Sequence, residues 1–170
     1  MFFKLQINYF IKKMQKIILK GPEGHPIEVD AKAAQKSNLL KKELELSNNK
    51  ENLTIDLKDI KYDILKKVVE YLEYYKNRVP KEVPKPTPSE SLNSFLNDWD
   101  FNFINNLCLD ETFELMNAAS ELKIQSLLDL ASTKVASILK NRGIEDIRSM
   151  FKSGCDLSPC ELKKYEELQL

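Results

Sequence analysis

The chain has 170 residues, 42% hydrophobic and 31% charged, with 26 basic side chains set against 26 acidic ones. That length supports a compact core without metal or disulfide, and the neutral balance gives nucleic acid no electrostatic reason to bind. A single histidine, His25, excludes a two-histidine metal site within one chain, and three cysteines (Cys108, Cys155, Cys160) without a C-x-x-C pair suggest neither a disulfide framework nor a zinc knuckle.

The first 19 residues stand apart. Lys4, Lys12, Lys13 and Lys16 interrupt an apolar run that includes Phe2, Phe3, Leu5 and Ile7, and no acid precedes Glu23. The lysines break any signal-peptide core, and the absence of arginine and serine argues against a transit peptide. Residues 1–13 are therefore expected to be a disordered extension, and the unpaired thiols point to a reducing intracellular setting. No run approaches the roughly 18 uninterrupted apolar residues of a membrane span.

Ile17 to Leu19, the cluster Gly21-Pro22-Glu23-Gly24, and Ile27 to Val29 read as strand, turn and strand, a hairpin. Ser37 is placed to cap a short helix carrying Leu40 and Leu44, and Asn48, Asn49 and Asn52 mark a polar loop. The alternation of Leu53, Ile55 and Leu57 suits another strand. The next helix shows Ile64, Leu65, Val68, Val69 and Leu72 on one face, Ile60 in position to staple against Leu65, and an end before Pro80. Four of the seven prolines fall between 80 and 88. Proline lacks a donor and restrains the residue before it, so the stretch 80–98 is expected to be an irregular loop with no apolar periodicity with which to pack. Helix is expected to resume near Asp110 and to run to the end, with Gly143 and Gly154 as stops and Ser158-Pro159-Cys160-Glu161 as a capped start.

Several clusters invite a chemical reading and do not sustain it. Trp99-Asp100 joins an aromatic to an acid, but no base or nucleophile accompanies it, so a structural role is preferred. Tyr71, Tyr74 and Tyr75 share a helix with Glu70 and Glu73 and no basic stripe, which favours packing over base stacking. Cys155 and Cys160 read as plain thiols, with nothing nearby to activate them. No nucleophile, metal or phosphate-loop constellation appears, so no enzyme activity, cofactor or small-molecule substrate is expected.

From Lys123 to Lys140 the apolar positions Ile124, Leu127, Leu128, Leu130, Ala131, Val135, Ile138 and Leu139 form a stripe wider than one packing seam requires. The later segments, with Ile144, Ile147, Met150 and Phe151 and then Leu162, Tyr165 and Leu168, are short. The stripe is either core against the preceding domain, the preferred outcome on pattern alone, or an open surface for a partner.

A series of segments changes that preference. Glu28-Val29-Asp30, Ser37 with Leu40-Lys41 and Leu44-Glu45, Ile64-Leu65-Lys66-Lys67-Val68, Trp99-Asp100 with Phe103, Phe113-Glu114-Leu115, Ala118-Ala119, Leu127-Leu128-Asp129, Lys134-Val135-Ala136 and Glu145 with Ile147-Arg148 occur in one order and spacing. In these the chain resembles the Skp family, over about residues 14 to 169. The resemblance implies an α+β class with a BTB/POZ fold, a small sheet packed with helices, over 14–122, the proline-rich loop at 80–98, and C-terminal F-box-binding helices over 123–170. Elongin C has a similar fold but would end near Ile124, whereas here helices continue.

The resemblance also implies a function: a non-enzymatic adaptor of a Skp-cullin-F-box ubiquitin ligase, cytoplasmic and nuclear, linking F-box proteins to the cullin scaffold for protein ubiquitination and degradation. Neither nucleic acid nor membrane is an expected partner. The F-box face would include Phe113, Leu128, Ser132, Val135 and Leu139, and the cullin face Ser120 and Glu121. Several departures would mark a divergent member. The family's Ala-Ala-Asn-Tyr-Leu stands here as Ala118-Ala119-Ser120-Glu121-Leu122, its Thr-Pro-Glu-Glu as Gly143-Ile144-Glu145-Asp146, and its acidic character as neutrality. Loss of an aromatic anchor and a glutamate in its place imply weaker cullin binding. The alternative is a BTB-type oligomerisation or scaffold protein that no longer binds cullin.

Overall fold

Residues 16–47, 53–84, 92–140 and 142–151 are described in the structure, a computed structural model. The chain divides into two units, Met1–Ala136 and Ser137–Leu170.

In the first unit, β1 (Lys16–Lys20) and β2 (Pro26–Asp30) form the expected antiparallel hairpin, with Ile17 opposite Val29 and Leu19 opposite Ile27. Gly24 makes the reversal at φ +75°, and its N–H donates to the Gly21 carbonyl at 3.0 Å. On the other side of β1, β3 (Leu53–Asp56) runs parallel, giving the order β2-β1-β3. The two-residue period buries Ile17, Leu19 and Val29 on one face and leaves the Lys16–Glu28 ion pair exposed on the other.

A short helix, α1 (Ala31–Ala34), follows with Asp30 as its cap. Ser37 then caps α2 (Asn38–Leu46), accepting from the Leu40 N–H at 3.1 Å, and the helix buries Leu40 and Leu44 as its spacing predicts. The one-face pattern of α3 (Tyr62–Tyr74) buries Ile64, Leu65, Val68, Val69 and Leu72, and Tyr71 besides. Ile60 and Leu65 are both buried, as a staple requires. Lys61, at the helix start, supplies no side-chain cap. Glu23 of the hairpin turn does so instead, accepting from the Tyr62 N–H at 3.1 Å, while the His25 and Tyr62 rings pack 5.3 Å apart. This docking is tight: a Cβ on Gly21 would come within 2.9 Å of the Ile60 carbonyl oxygen.

The stretch 80–98 is not wholly loop, and helix does not wait for Asp110. Val83 packs partly buried against the core, Leu92–Ser94 make one 3₁₀ turn, and Phe95 and Leu96 are buried. At Asp98 begins α4 (Asp98–Asn105), capped by Asn97, which accepts from the Asp100 N–H at 2.7 Å. Eight residues are too few to display a 3.6-residue period, and the apolar side chains before them anchor short pieces rather than one helix face.

Cys108 opens α5 (Leu109–Glu121) with a capping box, its sulfur accepting from the Glu111 N–H at 3.4 Å and the Glu111 carboxylate accepting from the Cys108 N–H at 2.7 Å. The helix ends with Lys123 in the left-handed region at φ 54°. There the Ile124 N–H donates to Ala119 at 2.8 Å and the Lys123 N–H to Ser120 at 3.2 Å, a Schellman motif without its usual glycine. The same corner meets the start of α2: the Ser37 hydroxyl donates to the Leu122 carbonyl at 2.5 Å, and the N–H groups of Asn38 and Leu39 reach the Lys123 and Leu122 carbonyls at 3.4 Å. Two helix ends thus satisfy each other's orphan groups. From the corner runs α6 (Gln125–Leu139), which passes the boundary between the units.

The second unit holds the end of α6 and α7 (Ile144–Phe151), in which no residue is buried. Gly143, expected as a stop, is instead a start: α6 ends at Leu139, and the Gly143 carbonyl accepts the Ile147 N–H at 3.1 Å. The extension 1–13, the asparagine loop, Gly154 and the Ser158-Pro159-Cys160-Glu161 start lie outside the described residues. The small sheet with its helices is the α+β architecture expected.

Candidate partner-binding site

Two adjacent ridges run along α6. Leu127, Leu130 and Ala131 join Ile124 in the core at 2% exposure or less, so this side of the stripe is packed as pattern alone preferred. Beside it, Leu128, Ser132, Val135 and Leu139 follow at steps of four, three and four, which places them on one face of a helix. Leu128 and Ser132 are half-buried, and Leu139, past the unit boundary, is half-buried as well. Val135 departs from the expectation of an uncovered stripe, for only 8% of it is exposed. Phe113 lies half-buried on α5. In the second unit, α7 leaves Ile144 62% and Phe151 42% exposed.

Beneath the flank ridge lies a residue that sequence reasoning passed over. Lys134 is buried, and its ammonium donates to the Ile104 carbonyl at 2.7 Å and to the Leu107 carbonyl. Burial pushes its pKa down, while Cys108 and Glu111 act in the opposite sense. The signal was present, since Lys134 stands in helical phase with the core positions Leu127 and Leu130.

At the other end of α4, the Tyr75 hydroxyl and the Asn97 amide each donate to Asp100 Oδ2 at 2.7 Å. Asp100 Oδ1 is buried without a hydrogen-bond partner, and burial pushes this carboxyl above its ordinary pKa. Trp99 stacks on Tyr74 at 3.8 Å and on Phe103 at 5.0 Å, and the Arg78 guanidinium lies 4.2 Å from the Tyr74 ring centroid. Trp99-Asp100 is thus built into packing, as are the buried Tyr71 and Tyr75.

The two residues expected at the cullin face close α5. Ser120 is exposed and Glu121 half-buried. Burial, and then the nearby Asp59 carboxylate, push Glu121 up, and a negative charge in the last turn also opposes the helix dipole. Among the described residues no group of three or more His, Cys, Asp or Glu is arranged to hold a metal ion, and no helix is long and apolar enough to cross a membrane.

Two family models match the chain: Skp1 family, tetramerisation domain, over residues 15–77, and Skp1 family, dimerisation domain, over residues 125–167. The S-phase kinase-associated protein 1 homolog of Tetrahymena thermophila is 36% identical over 156 residues, 92% of this chain and 93% of that protein. The SKP1-like protein 18 of Arabidopsis thaliana is 30% identical over 146 residues, 86% of this chain and 89% of that protein. The E3 ubiquitin ligase complex SCF subunit sconC of Arthroderma benhamiae is 30% identical over 147 residues, 86% of this chain and 88% of that protein.

Proposed function

The chain belongs to the Skp1 family, and from that premise we propose that it is a non-catalytic adaptor of an SCF-type ubiquitin ligase, joining an F-box protein to a cullin. The observation that carries the reading is that matches to the family's two domains occur in order on one chain, while a relative covering 86% of it is named as a subunit of that ligase complex. Such an adaptor would work in cytoplasm and nucleus.

Phe113, Leu128, Ser132, Val135 and Leu139 are the proposed F-box contacts. The flank ridge of α6 supports this, since apolar and small side chains in one line, with Leu128 and Ser132 half-buried beside the buried Val135, suit a helical partner laid alongside. Leu128→Glu is the direct test, because it puts a carboxylate where an apolar partner would exclude water, at a position not fully within the core. Capture of a recombinant F-box segment by the full chain is expected, and its loss in the folded variant. A folded Leu128→Glu that captures as well as the natural chain rules this face out, and a natural chain that captures no F-box segment rules out the adaptor.

Ser120 and Glu121 are the proposed cullin-facing pair, and an acid crowded by Asp59 at a helix end supports cullin binding weaker than an aromatic anchor would give. A self-associating scaffold is the second reading, favoured by the matched domains being described as tetramerisation and dimerisation domains. Sedimentation of the purified chain separates the two: oligomers that capture no F-box segment support the scaffold.

A further inference from the structure

Lys134 stands in line with the core positions of α6. Its neighbours in helical phase are core leucines, it is 8% exposed, and a buried ammonium must replace its lost water with well-placed acceptors. The acceptors it finds are not on its own helix. The Ile104 carbonyl belongs to the last turn of α4, whose negative dipole end favours a cation, and the Leu107 carbonyl belongs to the three-residue link before α5. Cys108 and Glu111, the two halves of the capping box that opens α5, act electrostatically on the same ammonium. One charged group therefore meets the end of one helix and the start of the next from the middle of a third.

Direction is what this adds. Apolar ridges tolerate small slides and rotations, whereas two charge-assisted hydrogen bonds to carbonyls of fixed position tie the rotation of α6 to the corner that launches α5. Those are the helices that carry Phe113 on one side and Leu128, Ser132 and Val135 on the other. We propose that Lys134 is a positioning residue for the partner surface: held by the Ile104 and Leu107 carbonyls, it sets α6 against α5 so that their partner-facing side chains present one surface. In naming the partner surface this rests on the adaptor reading, but the setting of one helix against the other does not.

The test uses the full chain as Lys134→Met, which keeps the stem and removes the ammonium, and Lys134→Arg, which restores a cationic donor. Without partner, the amide signals of Phe113 and Ser132 and the emission of Trp99, the chain's one tryptophan, should shift in the methionine variant. With a recombinant F-box segment, the folded methionine variant should bind about tenfold more weakly, and the arginine variant should recover most of the loss. A folded Lys134→Met with unshifted signals or natural affinity overturns the proposal, as does failure of arginine to recover binding. If the methionine variant does not fold, Lys134→Gln, whose amide still reaches one carbonyl, should bind at intermediate strength, and natural affinity there overturns it equally. A natural chain that binds no F-box segment defeats the adaptor reading instead, and the partner-free signals then decide the role of Lys134.

Discussion

The hairpin with α3 and the region from Phe95 to Lys134 share one hydrophobic core but differ in the polar groups that fix their helices. In the first, buried aliphatic side chains such as Ile17, Leu19, Val68 and Leu72 meet through periodic faces, and two carboxylates link the hairpin to α3, Glu23 at the helix start and Glu73, which accepts from the Asp30 N–H at 2.9 Å. In the second, α4 is fixed at one end by Asp100, Tyr75 and Asn97 and at the other by Lys134. Apolar packing resists changes of volume and polar networks resist changes of donor or charge, so the two regions should fail under different substitutions.

The largest effect is expected in the aliphatic region. Leu65→Ala, at a fully buried position on α3, should lower unfolding free energy by about 2–5 kcal/mol in a denaturant titration. A loss under about 1 kcal/mol would mean that the core collapses around the gap and that packing there is loose. Next is one polar link of the same region: Glu23→Ala removes the acceptor that caps α3 and should cost about 1 kcal/mol. No loss would leave the hairpin turn held by the Gly21 and His25 contacts alone.

The smallest change is the most diagnostic of the second region. Because the Asp100 carboxyl titrates above its ordinary value of 3.8 in the folded chain, the folded state holds this proton to higher pH than the unfolded state does. Its contribution to stability therefore falls as pH rises from about 4 through the raised folded value, and is level above it. Asp100→Asn removes that contribution, so the pH dependence of its denaturation midpoint relative to the natural chain should show the missing fall. Parallel curves would mean that Asp100 titrates alike folded and unfolded.

Legibility in the sequence follows the same division. Ser37 with Leu40 and Leu44, and the five apolar positions of α3, were readable because cap and face are local, repeated within a few residues. What was missed depends on distant partners. Eight residues of α4 carry too little period, yet Asn97 followed by acids at Asp98 and Asp100 is a helix start that could have been read. Gly143 reads as a stop because glycine commonly ends helices, while its actual place is set by where α7 begins. At the candidate site, periodicity gave the width of the α6 stripe but not which ridge the chain covers, since that depends on α4 and α5. Leu128, Val135 and Leu139 stood in that stripe by periodicity, while Ser132, Phe113 and the partner role of all five came only from the family resemblance. Lys134 stands in phase with the core positions of α6, but the carbonyls that hold its ammonium belong to Ile104 and Leu107, 30 and 27 residues earlier in the chain.

The corner at Leu122 and Lys123 has a consequence for synthesis. Its carbonyls complete the start of α2, 85 residues earlier along the chain in the Ser37–Leu122 bond, and Ile124, Leu127 and Leu130 just beyond it belong to the same core as the first strand. While the ribosome adds roughly 5–20 residues per second, the early helices must wait several seconds with a seam of core uncovered. The nascent chain therefore stays exposed to chaperones and to misassociation until the segment bearing the candidate partner contacts has itself emerged, so that folding of the first unit and readiness for the partner arrive together.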